Sequence, residues 1–266
     1  MSESQISGAT RTVFVVGDPV WQLRTPQVMN ELWKERDKDF VTVPAHVAEG
    51  DLPAFLAGIR ADSSALGAVL TVPHKEAAFA LCDDVGDNAR ITGAVNAIRR
   101  EVNGRLVGET FDGLGFVAGL HAAAINPQGM SVLMVGAGGA ASAVGAALAK
   151  AGSGRIQIVN RTSARAKDLA ERLRRAFPSV DIEAGGHDAN QIDLLVNATT
   201  LGMNPGDPVP FDVSKLSSSS IVADVVASVD LTPLLQAASG RNLRFHAGRH
   251  MLHGQIDLIA DFLAQT

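Results

Sequence analysis

From Arg11 onward, short runs rich in β-branched residues alternate with stretches whose apolar positions recur at helical spacing. RTVFVVG (11–17) predicts a strand, and TPQVMNELWKERD (25–37) predicts a helix with Pro26 in its first turn. DFVTVPAHV, DLPAFLAGIRA and LGAVLTV continue the strand–helix–strand rhythm of a parallel sheet. AVNAIRREVNGRLVGETF holds two strand-like runs about Asn103-Gly104, a strong hairpin signal. Near Ser131 the rhythm restarts. SVLMVGAGG is an apolar strand entering a glycine turn, and AASAVGAALAKAG a helix closed by Gly152. RIQIVN is the next strand, then SARAKDLAERLRRAF an amphipathic helix with Ser163 as N-cap. DLLVNAT, SIVADVV and RFHAG supply later strands, TPLLQAA a helix and MLHGQIDLIADFLAQ a final helix. The pattern predicts an α/β protein of two units, joined by a helical segment near Asp112 to Ala124.

Composition narrows the function. A chain of 266 residues, 46% hydrophobic and 19% charged, can bury full cores. A formal net charge of -5 without a block of Lys or Arg argues against nucleic acid or an anionic membrane as partner. The basic residues from Arg155 to Arg175 are interleaved with acids on a helix face. No apolar stretch reaches membrane-spanning length. Cys82 stands alone, which excludes an internal disulfide and a thiolate metal site. MSESQISGATR has no apolar leader segment, so the expected location is cytoplasmic.

GAGGAA fits the pattern G-x-G-x-x-A between strand and helix. Gly136 permits the tight turn, Gly138 lets backbone approach a diphosphate, and Ala141 keeps the helix close to its sheet. Ala137, Gly139 and Ala140 complete the turn, whose amides face the anion. The plainer explanation is a turn whose glycines serve packing alone. About 20 residues on, an NAD site normally carries an acid for the ribose diol. Here VNRTSARA has none. Asn160, Arg161, Thr162 and Arg165 put cations and short donors there instead, as suits a 2′-phosphate, so the predicted cofactor is NADP. A solvated arginine pair is the alternative, but cations beside a helix's positive end are unfavourable unless an anion is near.

TVPHKEAAFAL places Lys75 where a strand turns into a helix, a rigid perch for a catalytic group. GETFDGLGF sets Asp112 between glycines where the two units join. Taken singly, Lys75 is a first-turn surface lysine and Asp112 a helix cap. With GDPV, TVPHK, GAVN, FDG, GAGGAA, NRTSARA, NAT-x-x-GM, TPLL and ML-x-x-Q in order, the chain resembles the shikimate dehydrogenase family over nearly its whole length.

The resemblance implies a substrate domain of residues 1–112, completed by a C-terminal helix at 250–266. It also implies a Rossmann dinucleotide domain of residues 113–249, and a cleft where hydride passes between NADP and a ring alcohol. Lys75 and Asp112 match the catalytic pair that handles the hydroxyl proton, and which of them is the formal base stays open. Thr71, Asn96, Asp112 and Gln255 would hydrogen-bond ring hydroxyls. Asn197, Ala198, Thr199, Gly248 and Met251 fall with the cofactor positions. His250 and His253 read as helix-start residues, and no metal is expected. The substrate class is a small cyclic polyol, bound by a monomer or homodimer.

The departures cluster at one end of the substrate. Where the family has Ser-x-Ser-Pro, its hydroxyls binding the ring carboxylate, this chain has Leu23 and Thr25 about Arg24. Where the family has a tyrosine gripping the same carboxylate, it has Ala227, and it contains no tyrosine at all. Val229 stands where a proline is common, and Phe111 departs from the family's Asn-Thr-Asp. Each missing charge-assisted bond is worth about 1.5–3 kcal/mol. The expectation is retained hydride chemistry on a ring whose C1 side differs from shikimate or is held differently. Thr25 resembles quinate-accepting relatives. The rival reading is a non-catalytic NADP-binding metabolite sensor, which has no need of both Lys75 and Asp112.

Overall fold

The structure, a computed structural model, describes residues 6–185 and 191–265. The first five residues of the leader reading and the terminal Thr266 lie outside the described residues. The chain forms two compact α/β units: Met1–Phe111 with Ile256–Thr266, and Asp112–Gln255.

The first unit has six strands, β1 (Arg11–Gly17), β2 (Phe40–His46), β3 (Ala65–Leu70), β4 (Asp84–Val85), β5 (Ala97–Arg100) and β6 (Leu106–Glu109). They lie in the order β2-β1-β3-β5-β6-β4. Helices α1 (Thr25–Glu35), α2 (Leu52–Ala61), α3 (Lys75–Leu81) and α4 (Asp87–Thr92) connect them. Every residue of β3 is buried, as a central strand covered on both faces must be. Val16, Leu52, Leu56, Ile59, Leu70, Ile98 and Leu106 form its core. α1 buries Pro26, Met29 and Trp33, one stripe at helical spacing, and the Trp33 indole N–H donates to Thr42 Oγ1 at 2.8 Å.

The sheet is mixed, whereas the sequence rhythm predicts a parallel one. β5 runs antiparallel to both β3 and β6. The physical reason lies in the connections. After β3, α3 and the short β4, which runs parallel to β6, bring the chain back to the carboxyl edge, where the Val95 N–H donates to the Lys75 carbonyl at 2.9 Å, so β5 starts there and runs back. The predicted turn at Asn103-Gly104 then reverses it again. The C-terminal residues of this unit are held by side chains. Arg36 donates to Asp257 and Asp261, each at 2.6 Å. The Phe262 ring lies 5.5 Å from Phe111 and 4.9 Å beneath the Arg99 guanidinium.

The second unit has strands β7 (Ser131–Val135), β8 (Arg155–Val159), β9 (Asp181–Ala184), β10 (Leu194–Asn197), β11 (Ile221–Asp224) and β12 (Arg244–His246). All pairings are parallel, in the order β12-β11-β10-β7-β8-β9. This is the doubly wound Rossmann arrangement, reversing between β7 and β10. Helices α5 (Asp112–Ala122), α6 (Gly139–Lys150), α7 (Ser163–Ala176) and α8 (Pro233–Gly240) belong to it, as does the first part of α9 (Arg249–Leu263). Ser163 is not the N-cap of α7. Thr162 takes that position, with extended backbone and no side-chain capping bond, and Ser163 is already helical.

α5 is packed against its neighbours through glycines. A Cβ at Gly115 would sit 2.5 Å from the Met251 carbonyl oxygen and 2.7 Å from Gln255 Cβ, while one at Gly113 would sit 2.8 Å from Ala147 Cβ. Backbones approach this closely only where a side chain is missing. Asp112, the first residue of α5, is thereby placed by a helix with almost no lateral freedom.

Candidate active site

In the first unit the expected substrate residues collect at one edge of the sheet. β1, β2 and β3 are parallel and end there, at Gly17, His46 and Leu70. Leu23 and Thr25 follow β1; Thr71 and Lys75 follow β3. Asn96 immediately precedes the antiparallel β5 at the same edge. Open α/β sheets bind ligands outside their carboxyl ends.

Hydrogen bonds fix this edge. Thr71 donates its N–H to Val16 at 2.9 Å, Leu70 to Asn96 at 2.7 Å, and Asn96 to Glu109 at 3.0 Å, each to a carbonyl oxygen. The buried Asn96 side chain accepts the Phe111 N–H through Oδ1 at 2.9 Å. Lys75 is the first residue of α3, half-buried, and its N-cap is His74. His74 is wholly buried, with Nε2 2.8 Å from the Val47 carbonyl. The imidazole therefore ties the lysine turn to the end of β2. TVPHK contains this histidine, but nothing in that string points to Val47 as its partner.

In the second unit, Gly136 leaves β7 with φ +123, a conformation side chains disfavour, and a Cβ there would lie 2.5 Å from the Ala198 carbonyl oxygen. Gly138 is the N-cap of α6, so Gly139, Ala140 and Ala141 form its first turn. The Ala198 N–H donates to Val135 at 2.8 Å, placing Asn197, Ala198 and Thr199 beside the glycine turn at the point where strand order reverses. That point is the dinucleotide position of such sheets. Asn160 and Arg161 leave β8 next to it, since the Gly136 N–H donates to Val159 at 2.8 Å. Arg161, Thr162 and Arg165 are exposed to solvent. Gly248 is buried against the Val226 carbonyl, and Met251 and Gln255 are buried in α9. Asp112 is buried as well, 1% exposed.

The sequence reading missed Asp224. It lies wholly buried at the carboxyl end of β11. Its carboxylate accepts from Asn197 Nδ2 at 3.0 Å, from the Val226 N–H at 2.9 Å and from Thr232 Oγ1 at 2.7 Å. Burial pushes its pKa up, against the pull of these donors. Asn197 in turn accepts from the Thr199 N–H and hydroxyl at 3.1 and 2.7 Å. One carboxylate thus organises the loop after β10 and the cap of α8. Its signal was an acid closing the apolar run SIVAD. Burial pushes the Cys82 thiol up to about 12, which disfavours the reactive thiolate. Among the described residues no group of three or more His, Cys, Asp or Glu is arranged to hold a metal ion. Among them, too, no helix is long and apolar enough to cross a membrane.

Residues 15–98 match the shikimate dehydrogenase substrate binding domain, and residues 121–203 match the shikimate / quinate 5-dehydrogenase family. A protein of Rubrobacter xylanophilus named shikimate dehydrogenase (NADP(+)) is 39% identical over 256 residues, covering 95% of this chain and 90% of that one. A shikimate dehydrogenase solved in complex with NADP+ superimposes with a TM-score of 0.90 at 28% identity, covering 98% of this chain and 92% of that one. A 5-ketofructose reductase of Gluconobacter, solved without ligand, gives 0.83 at 27% identity, covering 97% and 94%. With relatives of this identity spanning nearly its full length, the chain belongs to the shikimate dehydrogenase family.

Proposed function

We propose that the protein is an NADP-dependent oxidoreductase that transfers hydride between the cofactor and a ring hydroxyl or ketone of shikimate or a shikimate-like cyclic polyol. The observation that carries this reading is the 39% identity to a shikimate dehydrogenase (NADP(+)) over 95% of the chain. The intact Lys75 turn and the buried Asp112 agree with it.

In this reading the first unit binds substrate and the second binds the dinucleotide. NADP would rest its diphosphate on the Gly136–Ala141 turn and its 2′-phosphate on Asn160, Arg161, Thr162 and Arg165, and it supplies the hydride acceptor. The remaining chemistry belongs to side chains. As hydride leaves the ring carbon its hydroxyl must lose a proton, and Lys75 with Asp112 takes that proton or returns it in reverse. Thr71, Asn96 and Gln255 offer hydroxyl and amide groups that donate to or accept from ring hydroxyls. The cytoplasm is the proposed compartment, in keeping with a lone cysteine.

Leu23, Thr25 and Ala227 favour a second reading within the same chemistry, a ring whose C1 side is not that of shikimate. One experiment addresses both: steady-state kinetics with shikimate, quinate and uncharged ring polyols, each with NADP and NAD. NADP-dependent turnover of a ring alcohol is the expected result. Tight NADP binding without turnover of any ring would favour a metabolite sensor.

A further inference from the structure

The carboxyl edge of the first sheet carries a side-chain cluster that proton transfer does not use. β1 and β2 end side by side, with Gly17 opposite His46. His46 Nε2 lies 2.6 Å from Asp18 Oδ1, and the Trp21 indole meets the imidazole edge-on, ring centroids 5.9 Å apart. The cluster is fastened to the lysine turn, because the Asp18 N–H donates to the Val72 carbonyl at 3.1 Å. It also opens to solvent. Trp21 is 79% exposed, whereas Trp33 is 1% exposed.

These groups have a definite ligand chemistry. An indole face is electron-rich and attracts the polarised C–H bonds of a hydroxylated ring. A carboxylate accepts hydrogen bonds only, and an imidazole that donates to it presents its other nitrogen as a second acceptor. Such a pair suits hydroxyl donors and repels a carboxylate. Leu23, two residues beyond the indole, brings no donor of its own.

We propose that Trp21, His46 and Asp18 form a polyol-recognising subsite that sets substrate choice. The indole stacks on a C–H face, the Asp18–His46 pair accepts from hydroxyls, and a carboxylate at that end is disfavoured. The inference rests on the reading of the Lys75 edge as the substrate side.

The test compares shikimate with its uncharged methyl ester. Trp21→Ala raises KM for both about tenfold, with kcat moving less than about twofold, and Trp21→Phe restores most of the loss. Asp18→Asn shifts the ester-to-acid ratio of kcat/KM toward the acid by roughly fivefold or more. A second readout needs no turnover: because Trp33 is buried, iodide quenches Trp21 selectively, and saturating methyl shikimate with NADP shields it. Unchanged KM and ratio in the variants overturns the subsite, and so does full iodide access at saturation. If wild-type protein turns over neither compound, the proposed reaction fails and quenching alone decides the subsite.

Discussion

The turn that carries Lys75 is pinned at separate points: Asp18 donates to the Val72 carbonyl, Val95 donates to the Lys75 carbonyl, and His74 reaches Val47. A group held so rigidly suits a proton-transfer role, in which small displacements are costly. Lys75→Ala is expected to lower kcat by roughly 10²–10⁴ and to change KM far less. Steady-state kinetics checks this, and activity within a few-fold of wild type excludes the role. On the cofactor side, Arg161→Ala should raise KM for NADP by about ten- to a hundredfold, the loss of one charge-assisted contact. It should leave KM for NAD nearly unchanged, and equal losses for both cofactors would remove Arg161 from the 2′-phosphate site. Lys75 was legible in the sequence because it follows Pro73 at a strand-to-helix turn, and Arg161 because it stands where a dinucleotide site normally carries an acid, about 20 residues after the glycine turn. Asp224 and the tie from His74 to Val47 were not, because each joins strand ends far apart in the chain.

At the scale of elements, the Rossmann strands announced themselves as apolar runs separated by helical spacing. β4, α4 and β9 did not, being two to six residues long and carrying charges. The mixed order of the first sheet was half-visible. Asn103-Gly104 gave the β5–β6 hairpin, but no local pattern tells a strand which neighbour it will join. α5 carries the sharper prediction. Gly115→Ala would push a methyl group toward the Met251 carbonyl and the Gln255 side chain. Forcing these backbones apart should destabilise the fold by about 2 kcal/mol and reduce activity by displacing Asp112 and Gln255. Urea denaturation with kinetics on the same variant checks both. An unaltered midpoint would mean the contact is loose.

For the whole molecule, acidity is the relevant stress. His246 is buried, 2% exposed, with Nε2 lacking a partner, stacked 4.9 Å from His250 and edge-on to Phe116. Burial first, then His250, Arg244 and Arg249, lower its pKa from 6.5 to about 4. Between those values the unfolded chain binds a proton that the folded one resists. Stability is therefore full above about pH 6.5 and lost as pH falls toward about 4, by about 3 kcal/mol. His246→Phe should flatten that part of a denaturation-midpoint profile against pH, and an unchanged slope would count against the assignment. A last consequence concerns biosynthesis. The unit that begins with Met1 also contains Ile256–Thr266, where Arg36 grips Asp257 and Asp261 and Phe262 meets Phe111. Those residues follow the whole second unit along the chain, so a ribosome must deliver Asp112–Gln255 before the first unit can close.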